Sequence, residues 1–96
     1  MGAIDGVIHA RARLGIMTVL TSLGTVDFRT LKSQLGLTDG NLGAHLRVLE
    51  DAGYVEVAKG YGGRKPRTTC RMTPAGRRAF TKYLEGLESV IRLARA

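Results

Sequence analysis

The chain has 96 residues, with 15 Lys and Arg against 8 Asp and Glu, a formal net charge of +7 and a pI near 10.3. This length gives one domain with a modest core and leaves no room for a separate ligand-binding domain, while the basic balance favours a polyanionic partner, DNA or RNA. A single Cys excludes an internal disulfide framework, and because the sequence shows no signal pattern and no apolar run of about 18 residues, we expect a cytoplasmic protein without a membrane segment.

Two helices are predicted before residue 25. Residues 2–9 carry Ile4, Val7 and Ile8 in an amphipathic pattern, which indicates a helix too short to persist unless it packs on another helix. Residues 11–23 carry apolar side chains around most of the helix circumference, which is typical of the middle of a core. Thr25 and Val26 follow and could form a brief strand.

A short helix, a tight turn and a second helix are predicted next. The first helix, from Phe28 to Leu35, has Asp27 as its N-cap and Gly36 as its stop. The second, over residues 39–52, begins after the N-cap Thr38, buries a stripe of leucines and stops at Gly53; its leucines are Leu42, Leu46 and Leu49. Because only three residues separate the two helices, the spacing predicts a helix-turn-helix.

The second helix has an exposed side of small and polar residues, namely Gly40, Asn41, Ala44, Arg47 and Asp51. Glycines in a helix cost roughly 1 kcal/mol each against alanine. Two of the residues in its first turns are glycines, so this side is predicted to be kept small for a partner that approaches closely.

Residues 54–58 alternate in polarity and are predicted to form a strand. The stretch GLTDGNLGAHLRVLEDAGYVEV resembles winged-helix transcriptional regulators of the MarR and ArsR type; the resemblance is carried by Leu37-Thr38, Asn41-Leu42, His45-Leu46, Leu49 and Gly53-Tyr54-Val55, and later by Thr73-Pro74-Ala75-Gly76. It implies a winged helix-turn-helix fold, mainly α with a small β-hairpin wing (α+β), in which a three-helix core is joined by N- and C-terminal dimerisation helices.

The most basic part of the chain follows this strand. Residues 59–67 are predicted to be a long hairpin loop between strands 54–58 and 68–72, and residues 59–82 hold eight basic residues and no acidic one. Such clustering is the electrostatic signature of nucleic-acid binding, although a solvated charge run is the simpler alternative. In the resembling family the hairpin, here 54–72, is the wing that lies along the DNA backbone or in the minor groove.

Catalytic and metal chemistry are not indicated. His9, His45 and Cys70 occur singly, without the spacing of metal ligands, and no serine has the setting of a nucleophile. Cys70 falls within the return strand and is predicted to be a buried small residue rather than a redox thiol. We therefore expect neither an enzyme nor a cofactor, and the sequence does not identify a small-molecule effector.

The last helix is predicted over residues 74–96, with Thr73 as N-cap and Pro74 at its first position. Such a helix is roughly 34 Å long, more than a small core can cover, so its outer half is predicted to pair with a second copy. The predicted dimer interface comprises Ile4, Val7, Ile8, Tyr83, Leu84, Leu87, Val90, Ile91 and Ala94.

These patterns together predict one domain over residues 1–96, a sequence-specific regulator that binds double-stranded DNA at a near-palindromic operator as a homodimer. The recognition-helix residues predicted to contact DNA are Thr38, Asp39, Gly40, Asn41, Ala44, His45 and Arg47. The wing and backbone contacts are Thr30, Lys59, Tyr61, Arg64, Lys65 and Arg67. The alternative is a winged-helix protein-interaction or RNA-binding module.

Overall fold

The computed structural model describes residues 4–96 and contains four helices and three short strands over that range. In chain order they are α1 (Arg11–Leu23), β1 (Val26–Asp27), α2 (Phe28–Leu35), α3 (Asp39–Asp51), β2 (Val55–Gly62), β3 (Lys65–Met72) and α4 (Pro74–Arg95). The α+β winged helix-turn-helix architecture expected from the sequence is thereby confirmed. None of the helices in residues 4–96 is long and apolar enough to cross a membrane.

The helix starts are set by local hydrogen bonds. The side chains of Asp27, Thr38 and Thr73 accept hydrogen bonds from backbone N–H groups of the first turns of α2, α3 and α4, as the sequence predicts for N-caps. At the end of α2, Gly36 has φ +62°, a conformation that glycine adopts without the strain of a Cβ. These local signals place the helix-turn-helix with no help from distant residues.

The three strands form an antiparallel sheet in the order β1-β3-β2. Val26 pairs with Cys70 on β3, and Cys70 pairs with Val57 on its other side. The sheet therefore carries its apolar residues at the end that meets the helices.

The predicted long loop over residues 59–67 is wrong. β2 and β3 stay paired from Val55 and Met72 to Gly62 and Lys65, and the turn between them is only two residues long. Both faces of this outer hairpin are exposed, so its side chains show no alternation of apolar and polar residues. The periodicity that reveals a half-buried strand is absent there, although the backbone pairing is complete.

The core is built from all helices and from the inner end of the sheet. Its buried members are Ile8, Ile16, Met17, Leu20, Val26, Leu31, Leu42, Leu46, Leu49, Val55, Cys70, Phe80 and Tyr83. The middle of α1 contributes three of these, which agrees with its predicted place at the centre. The three leucines of α3 hold one side of that helix against the core.

The N-terminal helix predicted over residues 2–9 is wrong in the part that the structure describes; Gly2 and Ala3 lie outside the described residues. Residues 4–10 form a single turn instead of a helix. The Asp5 carboxylate accepts a hydrogen bond of 2.8 Å from the Val7 N–H, which offers the backbone an alternative to a helix. Ile8 is fully buried in the core of its own protomer, so its assignment to a dimer interface is corrected.

Thr73, between the wing and α4, joins the end of α3 to α4. Its hydroxyl donates to the Gly53 carbonyl at 2.6 Å and accepts from the Gly76 N–H at 2.9 Å. Gly76 is buried, and a Cβ at this position would overlap the Tyr54 carbonyl. The close approach explains why glycine follows the Thr-Pro-Ala start of α4.

α4 extends beyond the core. The described chain measures 56 × 25 × 21 Å, and α4 alone has 22 residues, about 33 Å of helix. Tyr83 is only 1% exposed inside the protomer, which corrects its assignment to the dimer interface. The large apolar side chains that α4 leaves exposed are Leu84, Ile91 and Leu93.

Candidate nucleic-acid interface

The second helix of the helix-turn-helix, α3, presents one side to the core and the other to solvent. Asn41, Ala44 and Arg47 are exposed, while Leu42, Leu46 and Leu49 are buried. The helix therefore offers an amide, a methyl group and a guanidinium on a surface that nothing in the described chain covers. These are the groups with which proteins read base edges in the major groove.

The glycines on this side are not required by packing. A Cβ added to Gly40 or Gly43 would meet nothing within 4 Å, and both residues have ordinary helical backbone angles. Each lowers helix stability by about 1 kcal/mol relative to alanine with no gain inside the protomer. What the two glycines contribute is therefore a surface without side chains, on which a partner can come close to the backbone of α3.

Two of the predicted contact groups near the start of α3 already have partners. The Thr38 hydroxyl oxygen accepts from the Asn41 N–H at 3.2 Å, and the Asp39 carboxylate lies 2.8 Å from the Lys32 ammonium of α2. This ion pair ties the two helices of the helix-turn-helix together across the turn. Asp39 thus partly neutralises Lys32 at this end of α3.

His45 lies at the edge of the buried side of α3. It is half-buried, and its Nδ1 atom lies 3.2 Å from Nη1 of Arg13 on α1. His45 therefore has a partner inside the protein, and its contact with DNA stays a prediction. Its neighbours Ala44 and Arg47 remain on the exposed side.

A groove of about 440 Å³ separates α3 from the wing. It is lined by Phe28, Gly43, Leu46, Arg47, Glu50, Val57, Lys59 and Thr68. Two predicted contact residues from different elements, Arg47 and Lys59, thus border the same depression. Their positive charges would act together on one polyanion lying along the groove.

Arg67 is held by an acid inside the protein. Its Nη2 donates to Oδ2 of Asp27 at 2.9 Å, while Oδ1 of the same carboxylate accepts from the Thr30 N–H at 2.7 Å. The pKa of Asp27 is lowered by the hydrogen bonds from Thr30 and from Arg67. One carboxylate therefore caps α2 and fixes β3 of the wing, and Arg67 is a wing-positioning group in this conformation.

The tip of the wing is free of such ties. Arg64 and Lys65 are exposed at the turn, where Gly63 has φ +71°, and Tyr61 is 78% exposed. A solitary aromatic ring this exposed has no role in the protomer core. Two cations and a ring at a narrow tip suit contact with phosphates and sugars.

The sequence interpretation missed two basic residues. Arg29 is exposed on α2 and lines a cleft of about 370 Å³ that also includes Lys65 and Arg67 of the wing. Arg13 holds His45, as described above. A signal for Arg29 existed, since it stands on the polar side of a strongly amphipathic helix, whereas nothing in the pattern of α1 singled out Arg13.

Cys70 is a core residue. It is 1% exposed, and burial together with the charges of Glu50 and Asp27 raises the pKa of its thiol to about 11. The thiol stays protonated near neutral pH, so the reactive thiolate is scarce. The predicted structural role of Cys70 is confirmed.

Within residues 4–96, no three His, Cys, Asp or Glu side chains are grouped as a metal site would require.

Comparison with known proteins identifies the class. Residues 12–91 match the family model of the winged-helix DNA-binding domain. This chain therefore belongs to the winged-helix DNA-binding family, and its resemblance to transcriptional regulators of the MarR type is confirmed.

Three relatives illustrate the match. An uncharacterised protein of Methanocaldococcus jannaschii is 37% identical over 78 residues, which cover 81% of this chain and 85% of that protein. The structure of a transcriptional regulator homologue from Pyrococcus horikoshii OT3 has a TM-score of 0.89 at 34% identity and covers 96% of this chain and 91% of that one. A proposed MarR-family regulator from Enterococcus faecalis V583 has a TM-score of 0.72 at 26% identity, with 93% and 76% covered.

Proposed function

We propose that this protein is a cytoplasmic transcriptional regulator that binds a near-palindromic operator as a homodimer, with α3 in the major groove and the wing on the neighbouring backbone. The observation that carries the proposal is the exposed side of α3. Its two glycines have no packing role, and it shares a groove with the basic wing. The glycines make α3 less stable but keep its exposed surface small, and the basic residues of the wing lie beside it. This combination suits an anionic partner that approaches the helix closely.

Readout of bases falls to two side chains. The Asn41 amide can bond N6 and N7 of adenine, and the Arg47 guanidinium can bond a guanine or a phosphate. Both are exposed on α3. Discrimination of one base position per half-site is expected from each.

Backbone contacts fall to the residues around this helix. The predicted contacts Thr30, Lys59, Tyr61, Arg64 and Lys65 serve here, and Arg29 joins them because it lines a cleft with Lys65. Contacts of this kind set affinity and orientation and carry little sequence information.

The dimer follows from the apolar surface of α4. Leu84 is 41% exposed and Ile91 48% exposed, and burial of such surface is favourable by about 25 cal/mol per Å². A two-fold axis along this part of α4 would cover both side chains in each copy. The same axis would set two recognition helices about 34 Å apart, one DNA turn, which requires a near-palindromic site.

Regulation would then be by occupancy, since the bound dimer either blocks polymerase at the operator or recruits it there. The chain needs no catalytic group for this action.

Selection of bound sequences from a random duplex pool tests the proposal. Enrichment of inverted half-sites about one turn apart is expected. Binding of random duplex and single-stranded RNA should be measured in parallel over a range of salt. Absence of any enriched duplex sequence, or tighter binding to the RNA, would favour the RNA-binding or protein-interaction alternative.

The dimer is tested on α4 itself. Leu84→Glu with Ile91→Glu should give a monomer by sedimentation and weaken operator binding. Ala75→Glu with Thr81→Glu adds the same charge at exposed positions of the same helix and serves as the control. A parent that sediments as a monomer at tens of micromolar would refute the dimer.

A further inference from the structure

Arg13 on α1 makes contacts within the protein and is not among the residues proposed to touch DNA. Its Nε donates to the Val7 carbonyl at 2.5 Å, and its Nη1 lies 3.2 Å from Nδ1 of His45. The side chain is half-buried, and in residues 4–96 no carboxylate lies within ion-pair distance of it. One guanidinium on α1 therefore joins the N-terminal segment to the recognition helix.

The contact with His45 has a defined chemistry. A guanidinium donates hydrogen bonds and accepts none, so Nδ1 of His45 is the acceptor in this contact. Hydrogen bonds are directional, whereas the burial of leucines is not. The leucine stripe thus holds α3 against the core, and the Arg13 contact adds a constraint on its rotation about its own axis.

The other end of this contact is also anchored. Oδ2 of Asp5 accepts from the Tyr54 hydroxyl at 2.6 Å, and Nδ1 of His9 lies 2.8 Å from the Tyr83 hydroxyl. Residues 5–9 are therefore tied to Tyr54, just before β2, and to α4, and Ile8 between Asp5 and His9 is fully buried. The Val7 carbonyl, which accepts the hydrogen bond from Arg13, is consequently held in a fixed position relative to the core.

We infer that Arg13 is a positioning residue for DNA recognition. Its contacts fix the rotation of α3 relative to residues 5–9 and α4. Asn41 and Arg47 on α3 are thereby oriented towards the base edges that they are proposed to read. This inference rests on the proposed function. It assigns a role in sequence discrimination to a residue that does not itself touch the bases.

The test uses the full chain and five variants. Arg13→Lys keeps the charge and loses the fork that reaches both partners, and His45→Leu removes the acceptor. The double variant closes a thermodynamic cycle. Ile16→Val, in the buried side of α1, lowers stability without touching the contact and is the control. Affinity is measured for the selected operator and for random duplex, over a range of salt, and melting temperature is recorded for every variant.

Arg13→Lys should lower the operator-to-random affinity ratio about tenfold, a loss of about 1.4 kcal/mol of discrimination. His45→Leu should act in the same direction, and the double variant should be no worse than the poorer single variant because the two residues act as one unit. The salt dependence of binding should not change. Arg13→Gln, measured as a fifth variant because it removes the charge, should also leave the slope unchanged; a slope reduced by about 0.9 in this variant would mean that Arg13 binds a phosphate, which overturns the inference. An unchanged ratio in Arg13→Lys, or an equal loss in Ile16→Val, overturns it as well.

Amide hydrogen exchange separates this inference from the proposed function. Arg13→Lys should speed exchange in α3 more than Ile16→Val does, whether or not DNA is present. If the parent prefers no DNA sequence, the proposed function fails, and the exchange result still decides whether Arg13 holds α3. Equal exchange in the two variants would refute the positioning role.

Discussion

Helix α3 and the wing are both proposed to bind DNA, but different interactions hold each of them in place. α3 is fixed by three buried leucines and by ties to α1 and α2 through His45 and Asp39. The outer wing is exposed on both faces and is held by backbone pairing and by the ion pair of Arg67 with Asp27; a second ion pair, Arg71 with Glu56, lies at the inner end of the hairpin. A base-reading element needs a fixed geometry, whereas a backbone-contacting element tolerates adjustment.

Because of this difference, mutations in the two regions should affect two different quantities, the free energy of unfolding and the free energy of DNA binding. Loss of packing under α3 acts on folding, and loss of charge on the wing acts on binding to any polyanion. Each of the following changes tests one side of the contrast.

The largest effect is expected from Leu46→Ala under α3. Leu46 is 4% exposed, and truncation of a buried leucine costs about 2 to 5 kcal/mol. Tyr61→Ala on the wing should stay within about 0.5 kcal/mol, since its ring is exposed. Urea denaturation of both variants makes the comparison, and equal costs would mean that the wing is part of the cooperative core.

Asn41→Ala should affect recognition and leave stability nearly unchanged. It should weaken operator binding by about 1 to 3 kcal/mol and relax the preference at one base position. Ser33→Ala, an exposed position on α2, is the control. Titrations with operator and single-base variants measure the effect; an unaltered base preference would show that Asn41 does not read the site.

Removing the positive charges of the wing tip should lower the affinity for all DNA sequences by the same factor. Arg64→Gln with Lys65→Gln should reduce the slope of log affinity against log salt by about 0.9 for each phosphate that the wing no longer neutralises. Arg77→Gln with Arg78→Gln removes the same charge from exposed positions on α4. If both pairs changed the slope equally, the wing would have no special role in binding DNA.

The smallest effect concerns the acid that fixes the wing. Hydrogen bonds from Thr30 and Arg67 lower the pKa of Asp27 below its ordinary value of 3.8. A lowered pKa stabilises the fold above that value, and the contribution is lost as the pH falls through the lowered pKa. Asp27→Asn keeps a capping oxygen and loses the charge, so its melting temperature should lie below that of the parent at pH 6 and approach it as the pH falls through the lowered pKa of Asp27. A constant difference across this range would assign the effect to the cap alone.

Local chemistry made much of the fold predictable. The caps Asp27, Thr38 and Thr73 act within three residues of themselves, so the sequence was enough to place three helix starts. The leucine spacing of α3 likewise identified its buried side. The small exposed side and the basic hairpin then pointed to the candidate interface.

Contacts between distant residues were decided only by the tertiary structure. The sequence alone determined the helix-turn-helix and its two sides, because caps, glycine stops and apolar periodicity act within one or two turns. It did not reveal the strand pairing in the outer part of the hairpin, whose exposed faces have no alternation, or the burial of Ile8 in the core of this chain. His9 and Tyr83 are 74 positions apart and Arg13 and His45 are 32 apart. Such pairs leave no periodic trace in the chain, since only the packed fold brings the partners within hydrogen-bond distance.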